Sequence, residues 1–229
     1  MPAPVLVELF VVGNELLTGE IQDANVHVLC SMVEALGGRV LRATLLRDDL
    51  DAVAAELRAA ASRARVVFTS GGLGPTTDDL TLSALAQAAG VELRLHPDAL
   101  QMVKDRYDEL AATGVLARGG LTPEREKMAL LPAGAAPLRN PIGTAPGVLF
   151  TMGATSFISL PGIPRELRAI IDGSLGFFLN DTFGGGVSVV RTVTLDHDET
   201  LIARPCSAGL PGATPRCRAG PPIGSPGPR

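Results

Sequence analysis

Val66-Val67-Phe68-Thr69-Ser70-Gly71-Gly72-Leu73-Gly74-Pro75-Thr76-Thr77-Asp78-Asp79-Leu80-Thr81 is the stretch on which the fold class turns. Val66 to Thr69 is a short apolar run of the kind buried on both faces of a parallel sheet. Ser70 to Thr77 is a glycine-rich loop. Leu82, Leu85 and Ala89 then recur at helical spacing, and Gly90 stops that helix. A strand that passes through such a loop into a helix is half of a β-α-β unit.

The same alternation extends in both directions. Upstream, Val5 to Val12 is a near-continuous apolar strand. Asp23 caps a helix carrying Val26, Leu29, Val33 and Leu36, which Gly37 and Gly38 end. Arg39 to Leu46 is a second strand, followed by a helix through Leu50, Val53 and Leu57. Downstream, Val91 to Leu95 is expected as a strand, and Pro97 opens a helix with Leu100, Val103, Tyr107 and Leu110. Thr122 and Pro123 form an N-cap and first-turn proline, with a helix expected through Leu131. Gly147 to Phe150 and Thr155 to Leu160 are β-like. The expectation is an α/β fold: a mostly parallel sheet with helices on both faces, in three layers.

The chain is expected to divide into one domain over 1–180, an exit strand or linker over 181–204, including Val187 to Leu195, and a tail over 205–229. That tail is dominated by Pro, Gly, Arg, Ser and Ala. It offers little to bury, so disorder is expected there.

Composition narrows the function. The 229 residues are 46% hydrophobic and 19% charged, with a formal net charge of -4. That balance argues against a general nucleic-acid binder, which carries a basic face. With no Trp and one Tyr, a base-stacking surface is not expected. Cys30, Cys206 and Cys217 have no zinc-finger or CxxC spacing, which fits a reducing compartment. The N-terminus lacks a signal peptide's basic region, and no apolar run reaches about 18 residues, the span of a bilayer. A cytoplasmic protein without membrane contact is expected. His27, His96 and His197 are isolated in sequence.

Chemistry is expected at the turns after the strands, where open α/β sheets bind ligands. Gly71, Gly72 and Gly74 would let backbone N–H groups approach an anion, a helix N-terminus would add its dipole, and Ser70, Thr76 and Thr77 add hydroxyls. The loop is neither a Walker A sequence nor the GxGxxG fingerprint, which disfavours a P-loop kinase and a Rossmann dehydrogenase. A tight βα turn with a capped helix is the alternative at this loop. Asp78 and Asp79 favour the ligand site. Two carboxylates beside a phosphate would repel it, and a divalent cation between them turns repulsion into attraction. Mg²⁺ or a similar ion at Asp78 and Asp79 is therefore expected if the ligand carries phosphate. Of Asp48-Asp49, at the end of the second strand, Asp48 is assigned to the crevice and Asp49 to the helix start.

Gly13-Asn14-Glu15, Asn140 to Gly147 and Leu160 to Leu167 supply the remaining turns. Gly13, Asn14, Glu15, Asn140, Gly143, Thr144, Pro161 and Gly162 are their candidate ligand contacts, each also explicable as a structural turn residue. Arg165 is available for an anion.

Taken together, Gly13-Asn14-Glu15-Leu16-Leu17-x-Gly19, Ser70 to Thr81, Asn140 to Gly147 and Leu160 to Leu167 resemble the CinA (competence/damage-inducible) family in motif and order. The Glu126-Lys127-x-Ala129-x-x-Pro132 stretch fits as well. The likeness spans Val5 to Phe178. It implies the molybdopterin-binding MoaB/MogA-like fold. It also implies metal-dependent hydrolysis of a nucleotide-sugar pyrophosphate such as ADP-ribose, a phosphorylated nucleotide or pterin as ligand, and a homo-oligomer. In the MogA-like relatives an Asp of the second-strand loop and an Asp after the glycine-rich loop are catalytic. Those positions fall on Asp48 and Asp79. Molybdopterin adenylyl transfer on the same scaffold, or a non-catalytic binding module, are the alternatives. A full CinA protein carries a C-terminal nicotinamide mononucleotide deamidase domain. The tail departs from that pattern, so deamidase activity is not expected, and a change of reading frame near Asp196 to Pro205 is. Sequencing the locus tests it: an intact frame with no deamidase coding region downstream refutes the frame change.

Overall fold

The computed structural model describes residues 3–184. β1 (Leu6–Val12) leads through a single-turn α1 (Asn14–Thr18) into α2 (Asn25–Ala35). β2 (Arg39–Leu46), α3 (Leu50–Ala60), β3 (Val66–Ser70) and α4 (Thr81–Ala89) continue the alternation. β4 (Leu93–Leu95), α5 (Pro97–Ala112), α6 (Pro123–Lys127) and β5 (Leu130–Pro132) form a lobe that follows α4 in the chain. β6 (Ala136–Leu138), β7 (Gly147–Met152), β8 (Thr155–Leu160), α7 (Pro164–Ser174) and α8 (Gly176–Phe183) complete the order.

The main sheet has six strands in the order β2-β1-β3-β8-β7-β6. β2, β1, β3 and β8 run parallel, β7 runs antiparallel beside β8, and β6 pairs antiparallel with β7 at the edge. All five residues of β3 are buried, as a central strand covered on both faces requires. Alternation along β1 and β3 divides the core in two. Phe10, Val12 and Val67 pack toward α3 and α4 with Val53, Leu57 and Leu85. Val7, Leu9, Val66 and Phe68 pack toward α2 and α7 with Leu29, Val33, Leu167 and Ile170. The expected three-layer α/β architecture is thus present.

Three expectations are corrected. Leu93–Leu95 does not join the main sheet; it pairs antiparallel with Leu130–Pro132 as a separate ribbon. The helix begun at Thr122 therefore ends at Lys127 and does not reach Leu131. The Thr122 hydroxyl caps Arg125 N as expected, but backbone pairing to β4 claims the residues beyond. α8 continues to Phe183, past the boundary expected at 180. The expected exit strand, Val187 to Leu195, and the tail over 205–229 lie outside the described residues.

Candidate functional site

Parallel strands in register deliver their following turns to one rim. Val12 pairs with Leu46, Val11 with Ser70, and Ser70 with Leu160, so the carboxyl ends of β1, β2, β3 and β8 are level. The antiparallel β7 begins at that rim with Gly147, which brings the Asn140 to Gly147 turn there too.

Beneath the rim lies a layer of polar groups bonded largely within the protein, with Asn25 Oδ1 buried there and unpartnered. Ser70 Oγ donates to Pro161 O at 3.3 Å and accepts from Asn25 Nδ2 at 2.8 Å. Asn25 Nδ2 also donates to Gly162 O at 2.7 Å, tying the start of α2 to the turn after β8. Asn140 Oδ1 accepts from Ile142 N and Gly143 N, while its Nδ2 donates to Ala145 O and to buried Glu166 Oε2, each at 2.9 Å. Thr144 Oγ1 points to Met128 Sδ at 4.0 Å, a weak contact at most.

This corrects part of the expected anion cradle. The Gly13 N–H is taken by Leu46 O, the Gly71 N–H by Leu160 O, and the Gly143 N–H by Asn140 Oδ1. Gly71 is required for packing: its φ is 96° and a Cβ would collide with Val12 O. Ser70 and Asn140 are organisers of the turns, with their polar atoms engaged inside. Asn25 and Glu166 belong to this layer and escaped the sequence reading, since lone polar residues at helix starts look like solvated ones.

Above it stand the carboxylates. Asp49 caps α3 through Ala52 N, and Asp48 beside it is half-buried. Asn14 N donates to Asp48 Oδ2 at 2.9 Å, and Asp48 N donates back to Asn14 Oδ1 at 3.4 Å, locking two strand ends together. Burial raises the Asp48 carboxyl above the usual carboxylate range. The Asn14 N–H opposes that rise, and the charges of Glu15, Asp78 and Asp79 add to it. Asp48, Glu15, Asp78 and Asp79 therefore share one electrostatic neighbourhood, although they come from three turns. Glu15 curls back over Gly13, where a Cβ would lie 2.6 Å from its Oε1.

The loop after β3 closes on itself. Thr76 N and Oγ1 both donate toward Asp79 Oδ2, at 2.9 and 2.6 Å, and Thr76 Oγ1 also lies against Asp78 Oδ1. The Thr76 hydroxyl holds the exposed Asp78 carboxyl below its ordinary range, with Lys127 contributing. The Asp79 carboxylate covers Gly74, whose Cβ would sit 2.5 Å from Oδ2. A cleft of about 50 Å³ beside the loop is lined by Gly72, Gly74, Asp79, Ser83, Lys127 and Met128. It is too small for a nucleotide, so a ligand of that size would lie across the open rim.

Among the described residues, no three His, Cys, Asp or Glu side chains form a ready metal cage. Mg²⁺ does not need one: it keeps several waters and takes one or two carboxylates plus ligand oxygens. The donor set fits that style of binding. One Thr76 hydroxyl proton faces two carboxylate oxygens, so one of the two contacts is left uncompensated. Among the described residues, no helix is long and apolar enough to cross a membrane.

Known proteins share this framework. A family model described as "Probable molybdopterin binding domain" matches residues 8–180. The crystal structure of a CinA protein of unknown function from Thermoplasma acidophilum is 35% identical, with a TM-score of 0.69 over 76% of this chain and 98% of that one. A CinA-like protein from Desulfosudis oleivorans is 35% identical over 218 residues, covering 94% of this chain and 51% of its own length. A solved MogA chain, 19% identical, superposes with a TM-score of 0.50 over 77% of this chain and 99% of its own, a likeness of fold alone. The chain thus spans about half the length of that CinA-like protein, and 68% and 58% of two Pyrobaculum relatives. The chain belongs to the molybdopterin-binding domain family and, within it, with the CinA proteins.

Proposed function

We propose that this domain hydrolyses the pyrophosphate of a nucleotide sugar such as ADP-ribose, with a divalent cation bound at the acidic loop. The observation that carries the reading is the meeting of Asp48, Asp78 and Asp79 at one rim, close enough for the last two to raise the first. Uncompensated carboxylates repel a diphosphate, so a site of this composition calls for a cation with its anionic ligand. Asp78 and Asp79 would hold Mg²⁺. When bound, the ion neutralises phosphate charge and polarises a phosphoryl oxygen.

The chain's own residues supply the rest. Asn14 N fixes Asp48 Oδ2, which leaves Oδ1 as the oxygen that would take a proton. A carboxylate whose pKa is raised is, once ionised, a better proton acceptor than an ordinary one, so Asp48 would be the general base for the attacking water. The water oxygen bonds to one phosphorus and its proton passes to Asp48. The bridging P–O bond breaks, giving AMP and ribose 5-phosphate. The N–H groups of Gly72 and Gly74 would meet phosphate oxygens, since that of Gly71 is taken by Leu160 O.

Full-length protein is incubated with ADP-ribose, with and without Mg²⁺. AMP release that requires the metal is expected. Absence of AMP with Mg²⁺, Mn²⁺ or Zn²⁺ refutes the hydrolase. A second reading, pterin binding or adenylyl transfer, draws on the family's printed description. Thermal stabilisation by molybdopterin without ADP-ribose turnover would favour it.

A further inference from the structure

We propose that Lys127 is the positioning residue of the acidic loop, an ammonium that holds the Thr76 to Asp79 turn from the neighbouring lobe. Lys127 Nζ donates to Thr76 O and, at 2.7 Å, to Asp79 O, reaching 51 and 48 residues back along the chain. These carbonyls bracket the turn that carries both carboxylates of the loop. Clamping them fixes where Asp78 and Asp79 stand relative to Asp48, which belongs to a different turn.

The lobe is built to aim this side chain. Thr122 and Pro123 start the five-residue α6, with Lys127 at its last position. Arg125 anchors that short helix. Its guanidinium lies 3.9 Å from the Tyr107 ring centroid, and its Nη1 donates to Gly119 O and Gly120 O at 3.0 and 2.7 Å. On the other side of Lys127, β5 is tied to β4. The helix and strand that flank Lys127 are thus both restrained, while the loop it grips is held elsewhere mainly by its own side chains.

The residue type carries information as well. Lys104 and Lys127 are the only lysines among 20 basic residues. Lys104 makes an ordinary i,i+4 pair with Asp108. A guanidinium is a planar fork suited to two parallel acceptor atoms, whereas an ammonium is a compact charge with three divergent donors. Two carbonyls from opposite ends of one turn suit the latter. With two of its protons so engaged, Lys127 also sets one positive charge beside the carboxylates.

The competing possibility is that the turn stands without Lys127, because Asp79 Oδ2 already accepts from Thr76 N and Oγ1. The full-length chain, K127M and K127R are compared by thermal denaturation, by amide hydrogen exchange of peptides spanning residues 72–81, and by ADP-ribose kinetics. In K127M the melting temperature should stay near that of the parent, while exchange of the loop amides accelerates by about tenfold or more. kcat should fall by about tenfold or more with KM changed far less, since positioning rather than ligand contact is lost. K127R should restore neither loop protection nor kcat. Unchanged loop exchange in K127M overturns the proposal, as does full recovery of protection in K127R. The kinetic arm rests on the hydrolase reading and the exchange arm does not. If the parent proves inactive on ADP-ribose, loop exchange alone still decides the role of Lys127.

Discussion

Glu8→Gln tests the physical logic that aligns the strand ends. Glu8 is a carboxylate on β1 with 1% of its side chain exposed. Arg63 meets it with Nε at 2.7 Å and Nη2 at 2.9 Å, and Arg42 with Nε at 3.2 Å. The β1–β2 register shifts between Val7 and Glu8, so this ion cluster sits where the pairing changes step before the regular run down to Val12. That pairing ends with Val12 opposite Leu46, which puts Asn14 beside Asp48. Removing one member of a buried pair typically costs about 3–5 kcal/mol, mostly because the other charge is stranded. Here the stranded groups would be Arg42 and Arg63, which are 43% and 37% exposed and can rehydrate. We therefore expect a smaller loss of about 2 kcal/mol, from weakened charge-assisted hydrogen bonds. For a domain of this size that lowers Tm by about 4–8 °C.

The pH dependence has a definite sign. The Arg63 and Arg42 hydrogen bonds outweigh burial and hold the Glu8 carboxyl below its ordinary 4.5. A group whose folded pKa is depressed contributes stability above its unfolded pKa and loses it as pH falls through the folded pKa. Urea denaturation of parent and variant should show a constant difference from neutral pH to about pH 5, then a shrinking one below about pH 4.5. A difference that stays constant down to pH 3, or widens on acidification, refutes the ion cluster as its source. No difference at neutral pH would mean that the core packing alone sets this register.

Asp48→Asn removes the proposed base while keeping the size and the acceptor for Asn14 N. The expected loss is about 10²–10⁴ in kcat for AMP release with Tm little changed, and parent-like turnover removes Asp48 from the chemistry. Gly71→Ala forces an L side chain into a φ of 96° and against Val12 O. It should destabilise the fold by at least about 2 kcal/mol, read by urea denaturation, and a neutral result contradicts the close packing of β1 on this turn. Gly143→Ala drives a Cβ into Glu166 Oε2 and toward Asn140 Nδ2. Exchange of the amides of Ile142 and Gly143 should rise, and unchanged protection would show that the turn does not depend on the Asn140–Glu166 bond.

The sheet was legible wherever burial on both faces made a strand unmistakable. Val66 to Ser70 and Leu6 to Val12 are such strands, and helices ended where Gly37 and Gly90 enter the left-handed region. The ribbon of β4 and β5 was not legible, because Met128, Ala129 and Leu131 are buried at spacings a helix also produces. β6 is three residues long and contains Pro137, so nothing in its own composition marks it as a strand. At the site, the strand-end rule brought Asp48 and Asp79 into one electrostatic neighbourhood, and Asp49 caps the helix as expected. It could not tell which small residues keep a free donor. The N–H groups of Gly13 and Gly71 are taken by the carbonyls that end β2 and β8, and that of Gly143 by the Asn140 side chain of its own turn, pairings that the sequence pattern does not reveal.

The division between satisfied and unsatisfied groups narrows what the site can bind. Ser70, Asn140 and the glycine amides beneath the rim are engaged, so they stiffen the turns and offer a ligand little. The carboxylates of Glu15, Asp48, Asp78 and Asp79 stand above them, and their repulsion is felt at Asp48. Within the loop a single ammonium, Lys127, lowers Asp78 and grips the backbone. The charges acting on Asp48 are all negative, which leaves the acidic part of the rim electronegative. An anionic diphosphate approaching it alone would be repelled, whichever of the hydrolytic or pterin readings holds. Binding of any phosphorylated ligand should therefore depend on a divalent cation before catalysis enters at all. Equilibrium dialysis of ADP-ribose against the Asp48→Asn protein, with Mg²⁺ or with EDTA, isolates that step. Equal affinity in both conditions would show that the carboxylates do not face the phosphates, and the mechanism built on them would fall.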